Sequence, residues 1–423
     1  MCKEGREDYK QMNHTMAEGR EWPVKIEIEQ ALEVLLKDVR PKREKCVVPL
    51  MQALGSCVAQ DIYAPLDNPP FDRSPLDGYA VCAEDVADAS FECPINLPVV
   101  GSAFAGVPYE SKFERGQAVR IMTGAVMPQG SDCVIRQEDT DYGEENVQIY
   151  IGVPRHQNYC FQGEDVARGT LMIRKGERLC AAHIGMLVGM GITQVEIIEP
   201  LRVALVCTGD ELCEPGLPLG PGKIYNSNRW LLQARLHELG IEAVTCVTCG
   251  DSTHQIADVI REVGHGADVI LTTGGVSVGS RDMLHQVVDL LGAKRLFWRI
   301  KAKPGSPLLC SEYDGKPLIC LSGNPFAAFA TFELFARPVF AKLMGDNTYL
   351  SQKREAVFQG SFNKTSNTRR FVRACYREGK VWLSSNNHSS GSLASLVECN
   401  CMLDIPGGHA PLQGGEKLNV LLL

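Results

Sequence analysis

Residues 271–284 read LTTGGVSVGSRDML, and this stretch decides the fold. An apolar strand, Asp268-Val269-Ile270-Leu271, runs into the small-residue turn Thr272-Thr273-Gly274-Gly275. A second turn at Gly279-Ser280 follows, and an amphipathic helix then begins with Asp282 in its first turn. Glycines let a backbone approach a ligand closely, and the free N–H groups of a helix start point at anions. Open α/β sheets bind ligands at the carboxyl ends of their strands. The stretch therefore predicts a phosphate-binding turn. Within it, the carboxylate of Asp282 calls for either a cation or a helix-dipole role.

Outward from this turn the pattern is a regular β/α alternation. Strands are predicted at Arg202–Cys207, Ile241–Val247, Asp268–Leu271 and 296–301, with a hairpin across Asp314-Gly315. Helices are predicted at Asn226–Leu239, Thr253–Val263, Asp282–Leu291 and Asn324–Met344, the first capped by Asn226, Ser227 or Asn228 and closed by Gly240. This is a doubly wound α/β domain. Residues 24–40 have helical spacing, with Ile28, Ala31, Leu32, Leu35 and Leu36 on one face. Residues 79–160 read as short strands punctuated by Gly and Pro, and residues 350–423 return to short strands.

The chain has 423 residues, 44% hydrophobic and 22% charged, which predicts several soluble domains. A net charge of −8 argues against nucleic acid as a partner, so an anionic ligand needs a local cationic pocket. No apolar run reaches the length of about 18 residues that a membrane helix needs. The polar N-terminus is expected to be a disordered lead-in without a secretory signal. The seventeen cysteines sit mostly in apolar strands and predict free thiols in a cytoplasmic protein. Cys246-Val-Thr-Cys249 lacks the second pair of a zinc set.

Four loops of the α/β domain follow strands and can share one site. Thr208-Gly209-Asp210-Glu211 offers a phosphate cradle and carboxylates; Gly250-Asp251-Ser252-Thr253, Gly274–Asp282 and Ser322-Gly323-Asn324-Pro325 are the others. Each alone is also explained by turn or helix-cap chemistry. Together, Glu211, Asp251 and Asp282 follow three strands of one sheet, and three converging carboxylates repel. A divalent cation relieves this, and Mg2+ fits best as a hard ion shared with phosphate. Strand alternation places Arg299, Lys301 and Lys303 on one face, as an oxyanion pocket or a solvated charged face. The polar loops around Asp77, Thr123 and Asp165 admit ordinary turn chemistry as well.

In order along the chain come SPLDGYA (74–80), RIMTGA (120–125), GED (163–165), TGDEL (208–212), TTGGVSVGSRD (272–282), KPG (303–305) and SGNP (322–325). This ordered set closely resembles the molybdopterin molybdenumtransferases, the bacterial MoeA type and the gephyrin E domain, from about residue 24 to the C-terminus. The resemblance implies an α/β plus β protein: a MogA-like doubly wound α/β domain (199–345) with an inserted β domain (67–160), a linking α/β subdomain (23–66 and 161–198) and a C-terminal β domain (346–423), after a lead-in at 1–22. It also implies a homodimer whose active site lies across the interface.

The implied reaction is the last step of molybdenum cofactor assembly. Molybdate is inserted into adenylated molybdopterin, AMP is released and Mg2+ assists. Transient contact with the molybdopterin adenylyltransferase is implied as well. The resemblance makes Asp77, Glu211, Asp251, Asp282 and Lys303 catalytic, with Glu211, Asp251 and Asp282 at the metal. Thr123, Asp165, Thr208, Gly274, Gly275, Ser277, Arg299, Lys301 and Ser322 would bind substrate. Arg299 and Ser306 stand where the family often carries lysine, and Ser322 where proline is usual. The alternatives are a catalytically reduced, gephyrin-like dimeric scaffold and a nucleotide-processing relative of the α/β domain. The scaffold would not need the retained acids.

Overall fold

The structure, a computed structural model, describes residues 22–276, 283–384 and 389–423. It divides into two compact units: residues up to Cys46 with Ile198–Leu423, and Val47–Ile197 between them.

The first unit is built on a seven-stranded sheet. Its spatial order is Val24–Ile26, Lys294–Ile300, Leu309–Tyr313, Lys316–Leu321, Val269–Thr273, Arg202–Thr208 and Ala243–Cys249. The last four strands run parallel, and Leu309–Tyr313 runs antiparallel to both its neighbours, forming the expected Asp314-Gly315 hairpin with Lys316–Leu321. Both turn residues have positive φ (51° and 73°), as a tight hairpin turn requires.

Alternation along the central strands explains why helices cover both faces. Val203, Leu205 and Cys207 pack with Leu232 and Leu236 of the Ser227–Glu238 helix. Ala204 and Val206 pack with Ile256 and Ile260 of the Thr253–Gly264 helix and with Leu284 and Val287. Each fully buried aliphatic side chain contributes about 1.5–3 kcal/mol. The chain leaves Arg202–Thr208 for a neighbour on one side and then crosses to the other. The carboxyl ends of these strands therefore form a switch-point crevice.

Two local readings change. The amphipathic stretch 24–40 is not one helix: Val24–Ile26 adds a parallel edge strand to Lys294–Ile300, and the helix occupies Ile28–Leu36. Edge pairing overrides the helical pattern here. This segment also packs with the α/β core through Ile28, Ala31 and Leu35. The helix expected over 324–344 is interrupted. Pro325–Thr331 passes through a π turn at Phe332–Ala336 before Arg337–Met344. The π turn carries Glu333, whose fully buried carboxylate binds Arg235 and Arg337.

The C-terminal strands close into a barrel. Arg369–Arg377, Lys380–Leu383, Lys353–Phe358, Lys417–Leu422 and Cys401–Ile405 follow one another, and the last pairs back to the first. A strand of the α/β segment, Ala302–Lys303, joins this barrel alongside Arg369–Arg370.

The second unit holds a five-stranded sheet in the order Cys133–Arg136, Gly78–Val81, Ala118–Ile121, Ile95–Ala103 and Asn146–Ile149. Both its faces are covered: Tyr79 and Val81 enter one core, Ala80 and Cys82 the other.

Candidate active site

A cavity of about 920 Å³ opens at the carboxyl ends of the parallel strands. Thr208, Glu211, Asp251, Gly274, Gly275, Lys303 and Ser322 all line it. Seven of the residues named from sequence thus come together in one place. Ser277 and Asp282 lie outside the described residues.

Close backbone approach explains the glycines. A Cβ on Gly274 would lie 2.3 Å from the Thr208 carbonyl and 2.7 Å from its hydroxyl, and φ is +97°. Gly274 therefore lets two strand ends meet. Gly275, at φ +63°, continues the turn against Leu284.

The acids divide into a brace and a pair. Asp210 Oδ1 accepts the Asp251 N–H at 3.0 Å and so joins the first two loops. Ser252, not Asp251, caps the following helix, its Oγ accepting the Gln255 N–H. Both Glu211 and Asp251 line the cavity, and neither is ion-paired among the described residues. Two such carboxylates suit a hard cation that shares its remaining positions with water and phosphate oxygens. Among the described residues no group of three metal-binding side chains forms.

The Ser227–Glu238 helix begins at the wall of this crevice. Asn226 accepts the Arg229 N–H at 3.1 Å and donates to Thr248 at 3.0 Å, which fixes the helix N-terminus at the wall. Asn228 donates to the Gly323 carbonyl at 2.8 Å, tying this wall to the Ser322 turn.

The three cations expected on one face separate. Arg299 has φ +65°, which breaks the alternation, and its guanidinium lies 4.7 Å over the Trp298 ring. Lys301 pairs with Glu27 at 2.8 Å and lines a different cavity of about 510 Å³. Only Lys303 reaches the main cavity. Ser306 turns to the backbone, donating to the Ile300 carbonyl at 2.9 Å.

Cations that the sequence reading did not assign gather beside Lys303. Lys364, Arg370 and Arg373 line a cleft of about 250 Å³ with Lys303, Pro304 and Ser390, and the last three also line the main cavity. Arg373 is fully buried, 4.1 Å over the Phe326 ring, and donates to the Ser389 carbonyl at 2.8 Å. The Arg369-Arg370-Phe371-Val372-Arg373 run was the available signal. Lys364, a lone lysine in a polar stretch, gave none.

In the second unit, Asp77 and Thr123 meet. One Asp77 oxygen accepts both the backbone N–H and the hydroxyl of Thr123, each at 2.7 Å. These bonds, the backbone one first, hold the Asp77 carboxyl below the usual aspartate range. Asp165 is held separately, accepting from the Asn68 amide at 2.8 Å.

Three family descriptions match the chain in succession. They are the MoeA N-terminal region (domain I and II) over 26–191, a probable molybdopterin binding domain over 204–342 and the MoeA C-terminal region (domain IV) over 355–423. A molybdopterin molybdenumtransferase of Staphylococcus epidermidis is 33% identical over 400 residues, covering 94% of this chain and 95% of its own. That of Bacillus subtilis is 35% identical over 383 residues, 89% of each chain. The chain belongs to the molybdopterin molybdenumtransferase family.

The crystal structure of the molybdopterin biosynthesis MoeA protein from Pyrococcus horikoshii superposes with a TM-score of 0.82 at 30% identity, over 94% of this chain and 99% of that one. Membership in this transferase family accounts for the succession of a β-rich insert, an α/β domain and a C-terminal barrel. It also favours the enzyme over the gephyrin-like scaffold. Among the described residues no helix is long and apolar enough to cross a membrane. All their cysteines are free, and burial pushes the Cys249 thiol up to about 11.

Proposed function

We propose that the protein inserts molybdate into adenylated molybdopterin and releases AMP, acting in the cytoplasm as a homodimer with Mg2+. The observation that carries this reading is the continuity between the acid-and-glycine cavity and the basic cleft at Lys303. One ligand can then present a pyrophosphate to the first and an oxyanion to the second.

Gly274 and Gly275 would admit phosphate oxygens to the backbone, helped by the start of the Ser227–Glu238 helix. Lys303, Lys364 and Arg370 would attract molybdate and hold it beside the pterin sulfurs. Glu211 and Asp251, with Asp282 as the expected third ligand, would hold the cation. When bound, Mg2+ neutralises charge on the pyrophosphate as the bond to AMP breaks. Asp77, ionised at neutral pH, and Thr123 would complete the site from the partner protomer. Transient contact with the molybdopterin adenylyltransferase would spare the adenylated substrate from release.

The test mixes purified protein with adenylated molybdopterin, Mg2+ and molybdate, and follows AMP release together with activation of an apo-molybdoenzyme. Molybdate-dependent AMP release is expected. AMP release that ignores molybdate would leave a pyrophosphatase, and no release would end the enzyme reading. Asp251→Asn is expected to lower turnover by at least about 100-fold while the fold is retained, as for loss of a group that stabilises transition-state charge.

A further inference from the structure

The basic cleft is built from two parts of the chain. Lys303 and Pro304 follow the Lys294–Ile300 strand, while Lys364, Arg370 and Arg373 belong to the C-terminal segment that forms the barrel. The shape of the cleft therefore depends on how the barrel is held against the α/β domain. One helix touches both halves. Phe326, in the first turn of Pro325–Thr331, lies 4.1 Å from the Arg373 guanidinium, which sits over its ring. Thr331, at the end of that helix, packs against the Lys303-Pro304-Gly305 turn: a Cβ on Gly305 would lie 2.3 Å from Thr331 Cγ2. The π turn begins at the very next residue, Phe332. Such turns are rare and frequently sit at functional sites. This one presents Glu333, whose carboxylate accepts from Arg235 Nε at 2.7 Å, Arg235 Nη2 at 3.2 Å, Arg337 Nη1 at 2.7 Å and Ser351 Oγ at 3.2 Å. Arg337 in turn donates from Nε to the Tyr349 carbonyl.

We propose that Glu333 is a positioning residue for the oxyanion end of the reaction: it holds the cations of the barrel beside Lys303. The inference rests on the functional reading above and adds a residue that lines neither the cavity nor the cleft. Its carboxylate joins three elements. Arg235 ties it to the Ser227–Glu238 helix, Arg337 to its own helix, and Ser351 with Tyr349 to the linker that enters the Lys353–Phe358 strand of the barrel. Fold stability alone does not call for this cluster. A buried charge loses its hydration, and apolar replacement of such clusters is often neutral or stabilising. What the cluster supplies is direction. Planar guanidinium forks fix where the linker leaves the helix, whereas an apolar contact can slide. The exit of the linker orients the barrel, and with it Arg370 and Arg373 relative to Lys303. The glycine turn, Glu211 and Asp251 stand on other strand ends and do not depend on the linker.

Steady-state kinetics on the full-length protein, with molybdate and adenylated molybdopterin varied in turn, tests this in the wild type, Glu333→Gln, Ser351→Ala and Glu238→Ala. A remote change that misplaces a reacting group by about 1 Å can cost on the order of 100-fold, so Glu333→Gln should raise the KM for molybdate at least about 10-fold. The KM for adenylated molybdopterin should stay unchanged. Ser351→Ala removes the linker bond alone and should move the molybdate KM in the same direction by less. Glu238→Ala removes only an exposed partner of Arg235 and should match the wild type. The triple variant Arg235→Met, Glu333→Leu, Arg337→Met separates positioning from stability. Apolar packing should bring its thermal melt back to that of the wild type, while its molybdate KM stays raised. A wild-type molybdate KM in the triple variant or in folded Glu333→Gln would overturn the proposal, as would equal rises in both KM values. Should Glu333→Gln not fold, the triple variant and Ser351→Ala decide by the same readout. A wild type without molybdate-dependent AMP release removes the functional reading and this one with it. Normal wild-type turnover with an unchanged molybdate KM in the variants removes only the role of Glu333.

Discussion

Gly274 and His285 show how differently single residues bear on the site. Gly274 sits where two strand ends touch, at a φ that side chains rarely adopt. Gly274→Ala should therefore destabilise the protein by about 1–3 kcal/mol from the backbone conformation alone. Urea unfolding would measure this, with weaker AMP binding alongside. Gly266→Ala is the control: its Cβ meets open space, and the change should stay within about 0.5 kcal/mol. His285 is buried against Trp298, ring centroids 4.6 Å apart, and burial, reinforced by the Arg295 charge, lowers its pKa from 6.5 to about 4. The folded protein thus keeps it neutral, while the unfolded chain takes up a proton first. Its contribution is complete above pH 6.5 and is lost as the pH falls towards 4. The loss should approach about 3 kcal/mol across that window, and His285→Gln should flatten it in urea midpoints taken at pH 7 and 4.5.

The strand Arg369–Arg377 shows what an element adds to its sequence. Alone, the Arg369-Arg370-Phe371-Val372-Arg373 run fits either a solvated strand or a ligand wall. Its parallel pairing with Ala302–Lys303 resolves the two. Arg369 turns to one side, where it grips buried Asp404 with two bonds of 2.7 and 2.6 Å and reaches Glu29; Arg370 turns to the cleft beside Lys303. Arg369→Ala strands a buried carboxylate and should cost about 3–5 kcal/mol in denaturant unfolding. Glu29→Ala, removing a mostly exposed partner, should cost at most about 1 kcal/mol. The same contrast marks what the sequence could convey. Thr208, Glu211, Asp251, Gly274 and Ser322 were legible because each follows a strand of one parallel sheet, and topology alone gathers strand ends. Lys301 was not, because the alternation that aligned it with Lys303 fails at Arg299. The neighbouring Val24–Ile26 edge strand then draws Lys301 to Glu27, its N–H donating to the Ile26 carbonyl. A long-range pairing of this kind leaves no local trace.

At the scale of the whole molecule, the ordered motifs divide between two units. The cavity residues belong to one, and Asp77 with Thr123 to the other. The Asp77 carboxylate is held by two donors and kept ionised, although its own unit gives it no cationic ion pair among the described residues. Such a group is suited to act on something brought to it, and the proposed dimer brings it the cavity of the partner. Mixing Asp77→Ala with Glu211→Ala protomers separates this arrangement from a site built within one chain. Neither variant alone should release AMP. In a heterodimer with shared sites, both lesions fall in one site and the other is intact. Random exchange of a two-fold dimer should then restore about a quarter of wild-type turnover. A site confined to one chain would carry one lesion in every copy and recover nothing. Native mass spectrometry would verify that protomers had exchanged, so that an inactive mixture of confirmed heterodimers would count against the shared site.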